Sequence, residues 1–221
     1  MNIYDVMGPV MIGPSSSHTA GAVRLGLLAS SVLGSLPREA EIYLHGSFAE
    51  TYKGHGTDMA LLAGLMGWHP DDERIPEAAA YAAKNNFKFS YHKVDLGNLV
   101  HPNTVLFKLT AANGAHCEVV GSSVGGGQVL VTSIDGFPVE ISGRWPVVLT
   151  VHIDIRGIIH RVSGILAAGG VNIGTMRVFR DNKGGLASMV IECDDNVPEG
   201  ILNGIRMLPQ METVRFIGRV L

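Results

Sequence analysis

A serine-rich segment that carries one histidine is the part of this sequence best equipped for chemistry. It reads GPSSSHT over residues 13–19 and leads into an apolar stretch, 20–33, whose pattern predicts a helix. Hydroxyl oxygens at a helix start accept hydrogen bonds from unpaired backbone N–H groups, and the helix dipole favours an anion there. His18 adds a group that moves a proton near neutral pH. The segment therefore predicts a carboxylate site with its own base, suited to a small amino or hydroxy acid. The alternative is that Ser17 or Thr19 caps the helix and His18 is an exposed loop residue.

A second histidine precedes another predicted helix. The segment KGHGTD, residues 53–58, is followed by an apolar helical run at 59–66. Gly54 and Gly56 flank His55 and allow backbone conformations that other residues avoid. Thr57 or Asp58 is predicted to cap the helix. Two histidine-bearing helix starts can converge on one ligand; the alternative is two ordinary caps with glycine loops.

Three motifs together resemble a known family. GPSSSHT, then GHGTD at 54–58 and HPNT at 101–104, are similar to the β chain of bacterial iron–sulfur-dependent L-serine dehydratases. The resemblance covers essentially the whole chain. It implies an α/β (α+β) fold: an N-terminal mixed α/β domain similar to the allosteric substrate-binding domain of some phosphoglycerate dehydrogenases, then a βαββαβ ferredoxin-like ACT domain.

The resemblance also implies roles for the motif residues. His55 is the preferred base that removes the substrate's Cα proton and His18 the second proton-handling group, an order that could be reversed. The remaining motif side chains are expected to bind substrate: Ser15, Ser16, Ser17, Thr19, Thr57 and Asp58.

Two further sites are implied for effectors. His101 and Asn103 are expected to form a second amino-acid site between neighbouring domains; the alternative is that Asn103 only makes a local turn hydrogen bond. In ACT domains the loops equivalent to 154–158 and 171–174 face each other and often bind an amino acid. The candidates there are Arg156, Asn172 and Ile173, and Arg156 stands where many ACT domains have proline.

The composition of the chain indicates which classes of partner to expect. The chain has 221 residues, 46% hydrophobic and 17% charged, with a net charge of −3 and no basic patch, so nucleic acid is not an expected partner. The longest apolar runs are too short for a membrane span, and MNIYDVMGPV is unlike a signal peptide. We therefore expect a cytoplasmic protein with no membrane partner.

The number of cysteines predicts where an iron–sulfur cluster would be bound. Serine deamination removes the Cα proton and expels a β-hydroxyl, and the second step calls for a Lewis acid. The sequence has two cysteines, Cys117 and Cys193, whereas an iron–sulfur cluster commonly takes four thiolates. A 4Fe-4S cluster is therefore expected on a partner α chain, with no metal ligated by this chain.

Local patterns predict the organisation. The N-terminal part is predicted to contain a strand at 41–45, a helix at 76–84 and strands at 104–111, 116–120, 128–134 and 137–141, with hairpin turns at Asn113-Gly114 and Asp135-Gly136. The glycine-rich stretch 122–128 is interpreted as a flexible turn or subunit contact. Turn residues at 142–146 separate a serine dehydratase β-chain domain, 1–143, from an ACT regulatory domain, 147–221.

The C-terminal part is predicted in detail. Strands are expected at 147–154, 172–180, 186–192 and 213–219, helices at 157–168 and 198–208, and a turn at 181–185, which together make βαββαβ. ACT domains commonly self-associate, so this part is expected to pair with a second copy.

Two functions follow from these patterns. The first is the β subunit of L-serine dehydratase, a lyase that converts L-serine to pyruvate and ammonia together with an iron–sulfur α chain. The alternative is a non-catalytic regulatory subunit that senses an amino acid. The two histidine-bearing helix starts favour the first, because a sensor has no need of them.

Overall fold

The computed structural model describes residues 10–180 and 182–220. Residues 1–9 lie outside the described residues, and they are most of the segment on which the signal-peptide expectation depends. Asp181, in the predicted turn at 181–185, lies outside them as well. The chain divides between Asp135 and Gly136 into two compact units. The domain assignments 1–143 and 147–221 stay predictions.

The first unit is a sheet with helices packed on it. A π-helical turn, Ser16–Ala20, leads into α1 (Gly21–Leu33). There follow β1 (Pro37–Leu44), α2 (Gly46–Thr51), α3 (Thr57–Leu65), a 3₁₀ turn (Ile75–Glu77), α4 (Ala78–Lys84), β2 (Lys88–Lys93), β3 (Thr104–Ala111), β4 (His116–Gly125) and β5 (Gln128–Ile134). The strands lie in the order β2-β1-β3-β4-β5, with β1 and β2 parallel and the remaining pairs antiparallel.

The helix starts differ from the predictions. The helix expected from residue 20 begins with the π turn, and Ser15 rather than Ser17 or Thr19 is its capping residue. The helix expected from residue 59 begins at Thr57, with Gly56 as N-cap at φ 67° and no side-chain cap. The prediction that Thr57 or Asp58 caps it is wrong, because the left-handed conformation of Gly56 starts the helix earlier.

Two other elements were also misjudged. The short helix α2 was not predicted at all. The glycine-rich stretch 122–128 is mostly strand, because β4 continues to Gly125 and Ser122 and Ser123 pair with Leu130 and Val129.

Close contact between α1 and α3 organises the helical layer. A Cβ on Gly26 would lie 2.4 Å from the Leu61 carbonyl oxygen, and one on Gly64 would lie 2.0 Å from that of Val23. Only glycine permits this approach. The core beneath is formed by fully buried side chains such as Leu25, Leu28, Ile42 and Phe107.

The second unit has the predicted plan. It begins with β6 (Phe137–Ile141) and continues with β7 (Val147–Ile153), α5 (Ile158–Ala168), β8 (Ile173–Arg180), β9 (Leu186–Cys193), α6 (Glu199–Arg206) and β10 (Met211–Ile217). An antiparallel sheet has the order β10-β7-β9-β8. In chain order this is 4-1-3-2, the ferredoxin-like arrangement, so the predicted βαββαβ plan and the α+β fold class are confirmed. Its core joins Val148, Val162, Leu166, Met189 and Ile191.

No helix in the described part of the chain combines the length and the hydropathy needed to cross a membrane.

Candidate active site

The start of the first helix presents backbone donors and hydroxyl groups together. Ser15 has an extended backbone and its Oγ accepts a hydrogen bond from the His18 N–H at 3.2 Å. The Ser15 carbonyl accepts from the Thr19 N–H at 2.8 Å. The N–H groups of Ser16 and Ser17 precede these bonds, at the point where a helix has no acceptor of its own. This is the place where a carboxylate can be held.

Hydroxyl groups lie on both sides of the His18 ring. Nε2 is 3.2 Å from Ser47 Oγ, while Nδ1 is 3.4 Å from Ser17 Oγ and 3.5 Å from Ser15 Oγ. The edge-on ring of Phe48, with centroids 5.3 Å apart, packs beside the imidazole. A neutral imidazole has one donor and one acceptor nitrogen, and a hydroxyl can serve either. These hydroxyls therefore orient the ring and can satisfy either of its tautomers.

The second histidine meets the first. The rings of His18 and His55 have centroids 4.9 Å apart and are tilted by 42°. Burial, and then the charge of His55, lower the pKa of His18 below its ordinary value. Among the described residues no group hydrogen-bonds the His55 ring, which is exposed. The pair thus combines a neutral imidazole with one that is open to a ligand.

The remaining predicted substrate-binding side chains lie in different environments. Thr19 and Thr57 are buried, and neither Oγ1 has a hydrogen-bond partner in the described structure. Asp58 is partly buried, its Oδ1 accepts from the Met59 N–H at 2.9 Å, and burial raises the pKa of its carboxyl. Tyr91 donates to the Asp58 carbonyl at 2.7 Å. The structure therefore brings Ser15 and Ser17 to His18, whereas the two threonine hydroxyls face inward.

The HPNT segment is a tight turn. The Asn103 N–H donates to His101 Nδ1 at 3.1 Å, and Thr104 Oγ1 donates to the His101 carbonyl at 2.6 Å. The Asn103 bond within this turn therefore comes from its backbone N–H. The Asn103 carbonyl accepts from the Ser123 N–H at 2.9 Å, but the buried Asn103 Oδ1 has no partner among the described residues.

The same turn holds α2 in place. The Pro102 carbonyl accepts from the Phe48 N–H at 3.4 Å, and the His45 N–H donates to the Thr104 carbonyl at 3.0 Å. Gly46 has φ 55°, and a Cβ there would lie 2.7 Å from the Pro102 carbonyl oxygen. The turn therefore fixes the helix whose Ser47 contacts His18.

Ser47 and Phe48 were missed by the sequence reasoning. They lie on α2, which is only six residues long. The available signal was Ser47 followed three residues later by Glu50, a spacing typical of a helix start.

The two loops of the second unit do not meet within one copy. Ile153, just before the loop of Arg156, pairs with Leu186 at the start of β9, whereas Ile173 pairs with Cys193 at its end. Within one chain α5, 11 residues and about 16 Å long, separates the two loops, and the amino-acid site expected at them stays a prediction. The Asn172 amide donates to Asp194 Oδ2 at 2.7 Å.

The thiols of this chain do not fit an iron–sulfur cluster. Cys117 on β4 and Cys193 on β9 are both buried and belong to different units. Burial, with Asp194 nearby, raises the pKa of Cys193 to about 11, far from a thiolate at neutral pH. No group of three or more metal-binding side chains occurs in the parts of the chain that the structure describes.

Comparisons with known proteins identify the family of this chain. The family described as serine dehydratase beta chain matches residues 3–133. The "Probable L-serine dehydratase, beta chain" of Bacillus subtilis is 42% identical over 210 residues, 95% of this chain and 94% of that protein. The "L-serine dehydratase, beta chain" of Peptoniphilus asaccharolyticus is 35% identical over 214 residues, 97% of this chain and 96% of that protein.

The family match and these two relatives, which align with nearly the whole chain, show which class of protein this is. This chain belongs to the serine dehydratase beta chain family, as its motifs predicted. Among solved structures, the ACT domain from GTP pyrophosphokinase of Chlorobium tepidum is similar to part of the chain. That match has 16% identity and a TM-score of 0.28, and covers 32% of this chain and 94% of that one.

Proposed function

We propose that this chain is the β subunit of a cytoplasmic L-serine dehydratase, which deaminates L-serine to pyruvate and ammonia with a separate iron–sulfur α chain. The observation that carries the proposal is the His18–His55 pair, 4.9 Å apart and beside a serine-rich helix start, in a chain of this family. The cluster, which assists departure of the β-hydroxyl, belongs to the α chain, because the two thiols of this chain are unsuited to it.

The chain's own residues handle the carboxylate and the proton. The Ser16 and Ser17 N–H groups, with the Ser15 hydroxyl beside them, bind the serine carboxylate at the helix start. His55, whose ring has no hydrogen-bond partner in the described structure, takes the Cα proton at a ring nitrogen. Loss of the β-hydroxyl then gives aminoacrylate, which water converts to pyruvate and ammonia.

The spacing of the rings disfavours two positive charges on the pair at once. Two imidazolium charges 4.9 Å apart repel by about 1 kcal/mol in a water-like dielectric and about 3 kcal/mol at an effective value of 20. His18, with its lowered pKa, is the neutral member. Its neutral ring lets His55 accept the substrate proton without a second charge alongside.

Variants of the two histidines test the function. His55→Gln and His18→Gln, each co-expressed with the α chain, should leave assembly and cluster absorbance intact. Each should lower the maximal rate, His55→Gln the more, since a positioned base contributes about 10²–10⁴-fold. His160→Gln, an exposed histidine of the second unit, is the matched control. Near-normal turnover of both variants contradicts the proposal and favours the sensor function.

A second amino-acid site is proposed at the HPNT turn. The unpartnered Asn103 Oδ1 supports it, and the Pro102 contact with α2 offers a route to His18. His101→Ala and Asn103→Ala should weaken activation or cooperativity by serine, because the apparent affinity of this second site falls about tenfold or more, while the maximal rate is kept. A large fall in rate with unchanged cooperativity would place the turn in the active site instead.

We further propose that the ferredoxin-like unit is an ACT regulatory domain that pairs with a second copy. Arg156 lies at one end of α5 and Asn172 and Ile173 at the other, so an effector site that uses both loops takes one from each copy. Sedimentation of the full chain tests the pairing. A strict monomer at high concentration contradicts it.

A further inference from the structure

A pocket of about 360 Å³ opens at the far end of β1 from the candidate active site. Pro37, the first residue of β1, lines it, whereas the last residue, Leu44, leads toward Ser47. Seven residue steps of a strand span about 23 Å. None of the pocket's lining residues contacts His18 or His55, so any ligand here is distinct from the substrate.

The wall of this pocket is apolar and partly aromatic. Its main side chains are Leu36, Leu65, Met66, Trp68, Tyr81 and Phe87. The Trp68 and Tyr81 rings meet edge to face, with centroids 5.1 Å apart. A flat hydrocarbon ring can pack against such a wall.

The aromatic wall is held in place without a ligand. The Arg74 guanidinium lies 4.3 Å over the Trp68 ring and 5.9 Å from that of Tyr81. Asp72 accepts two hydrogen bonds from that guanidinium, at 2.9 and 2.6 Å. Arg74 is thus committed to Asp72 and the rings, and the pocket is organised before a ligand arrives.

Arg38 offers a positive charge for a ligand, whereas the Arg74 guanidinium is already bonded to Asp72. It lines the pocket and is exposed, and within the described residues it has no ion pair or hydrogen bond. A guanidinium matches a carboxylate with two parallel bonds. Asn85, also in the lining, donates its amide N–H to the Tyr81 carbonyl at 2.8 Å, which leaves its Oδ1 as an acceptor.

We propose that this pocket binds a small organic anion with a flat apolar body, of the class of aryl carboxylates and aromatic amino acids. The ring packs against Trp68 and Tyr81, and the carboxylate binds Arg38. The volume is within the range of small-molecule sites. If the ligand carries an ammonium group, Asn85 Oδ1 accepts its hydrogen bond, so an amino acid binds more tightly than the carboxylate alone.

Trp68 is a built-in reporter for the test. The chain has two tryptophans, so Trp145→Phe leaves Trp68 as the single one. The full chain in this background is titrated with phenylacetate, L-phenylalanine, 2-phenylethanol and acetate, and Trp68 fluorescence and heat of binding are followed. Phenylacetate should give a saturable change, and 2-phenylethanol and acetate should bind at least tenfold more weakly. Tighter binding of L-phenylalanine than of phenylacetate supports the acceptor role of Asn85 Oδ1, and weaker binding contradicts that role.

Three variants decide the outcome. Arg38→Gln should weaken phenylacetate binding about tenfold or more, the loss expected when a hydrogen bond to a charge is removed. Arg144→Gln, an exposed arginine of the second unit, should change nothing. Ala112→Phe, at an exposed lining position, should block the pocket while circular dichroism shows an unchanged fold. Equal binding of 2-phenylethanol and phenylacetate, unchanged binding by Arg38→Gln, or no saturable signal from any probe overturns the proposal.

Discussion

Replacing Ser47 by alanine removes one defined contact of the candidate active site. Its hydroxyl lies 3.2 Å from His18 Nε2 and makes no other side-chain bond in the described structure. A neutral hydrogen bond contributes about 0.5–1.5 kcal/mol net, which corresponds to about two- to twelvefold in rate if His18 must keep its orientation. We therefore expect Ser47→Ala to lower the maximal rate within that range and to leave the serine KM nearly unchanged.

Two measurements test this prediction. The rate of pyruvate formation is measured with the α chain present, and nitrogen NMR of the His18 ring is recorded on this chain alone. Ser47→Ala should alter the tautomer ratio of His18, and Ser47→Thr, which keeps a hydroxyl, should restore both rate and ratio. Glu50→Gln, an exposed change on the same helix, is the control. A wild-type rate together with an unchanged His18 signal would refute the positioning role.

Three more perturbations follow from the packing. Gly64→Ala should lower the free energy of unfolding, measured in urea, by about 3 kcal/mol, because its Cβ would meet the α1 backbone. Gly54→Ala is the control and should be tolerated, because a Cβ there makes only an ordinary contact at 3.7 Å. Gly46→Ala should displace α2, because a side chain is strained at φ 55° and its Cβ would clash with the Pro102 backbone. Activity should therefore fall more than assembly with the α chain does, and full activity would contradict this. Burial lowers the pKa of His152 in the folded chain. Below about pH 6.5 the unfolded chain therefore binds a proton at this histidine more readily than the folded chain does, and the free energy of unfolding should fall. Thermal unfolding at pH 5 and 7.5 should show that loss reduced in His152→Asn and retained in the exposed control His160→Gln.

The sequence alone determined most of the second unit. Period-two and period-3.6 apolar patterns placed the four strands β7 to β10 and the two helices within a few residues, because each element buries one face against one core. The same sequence could not place the loops of Arg156 and Asn172 relative to each other. Whether the loops meet depends on the length of α5 and on the strand pairing, which puts the two loops at opposite ends of β9.

In the first unit the sequence identified the two histidine-bearing segments and the family. It did not determine the site they form. The 4.9 Å approach of His18 and His55, the contact of Ser47 and the inward orientation of Thr19 and Thr57 all depend on residues distant in the chain. Local periodicity carries no information about such contacts. They were decided by the turn at Pro102 that holds the unpredicted helix α2, and by the glycine contacts that let α1 and α3 pack backbone to backbone.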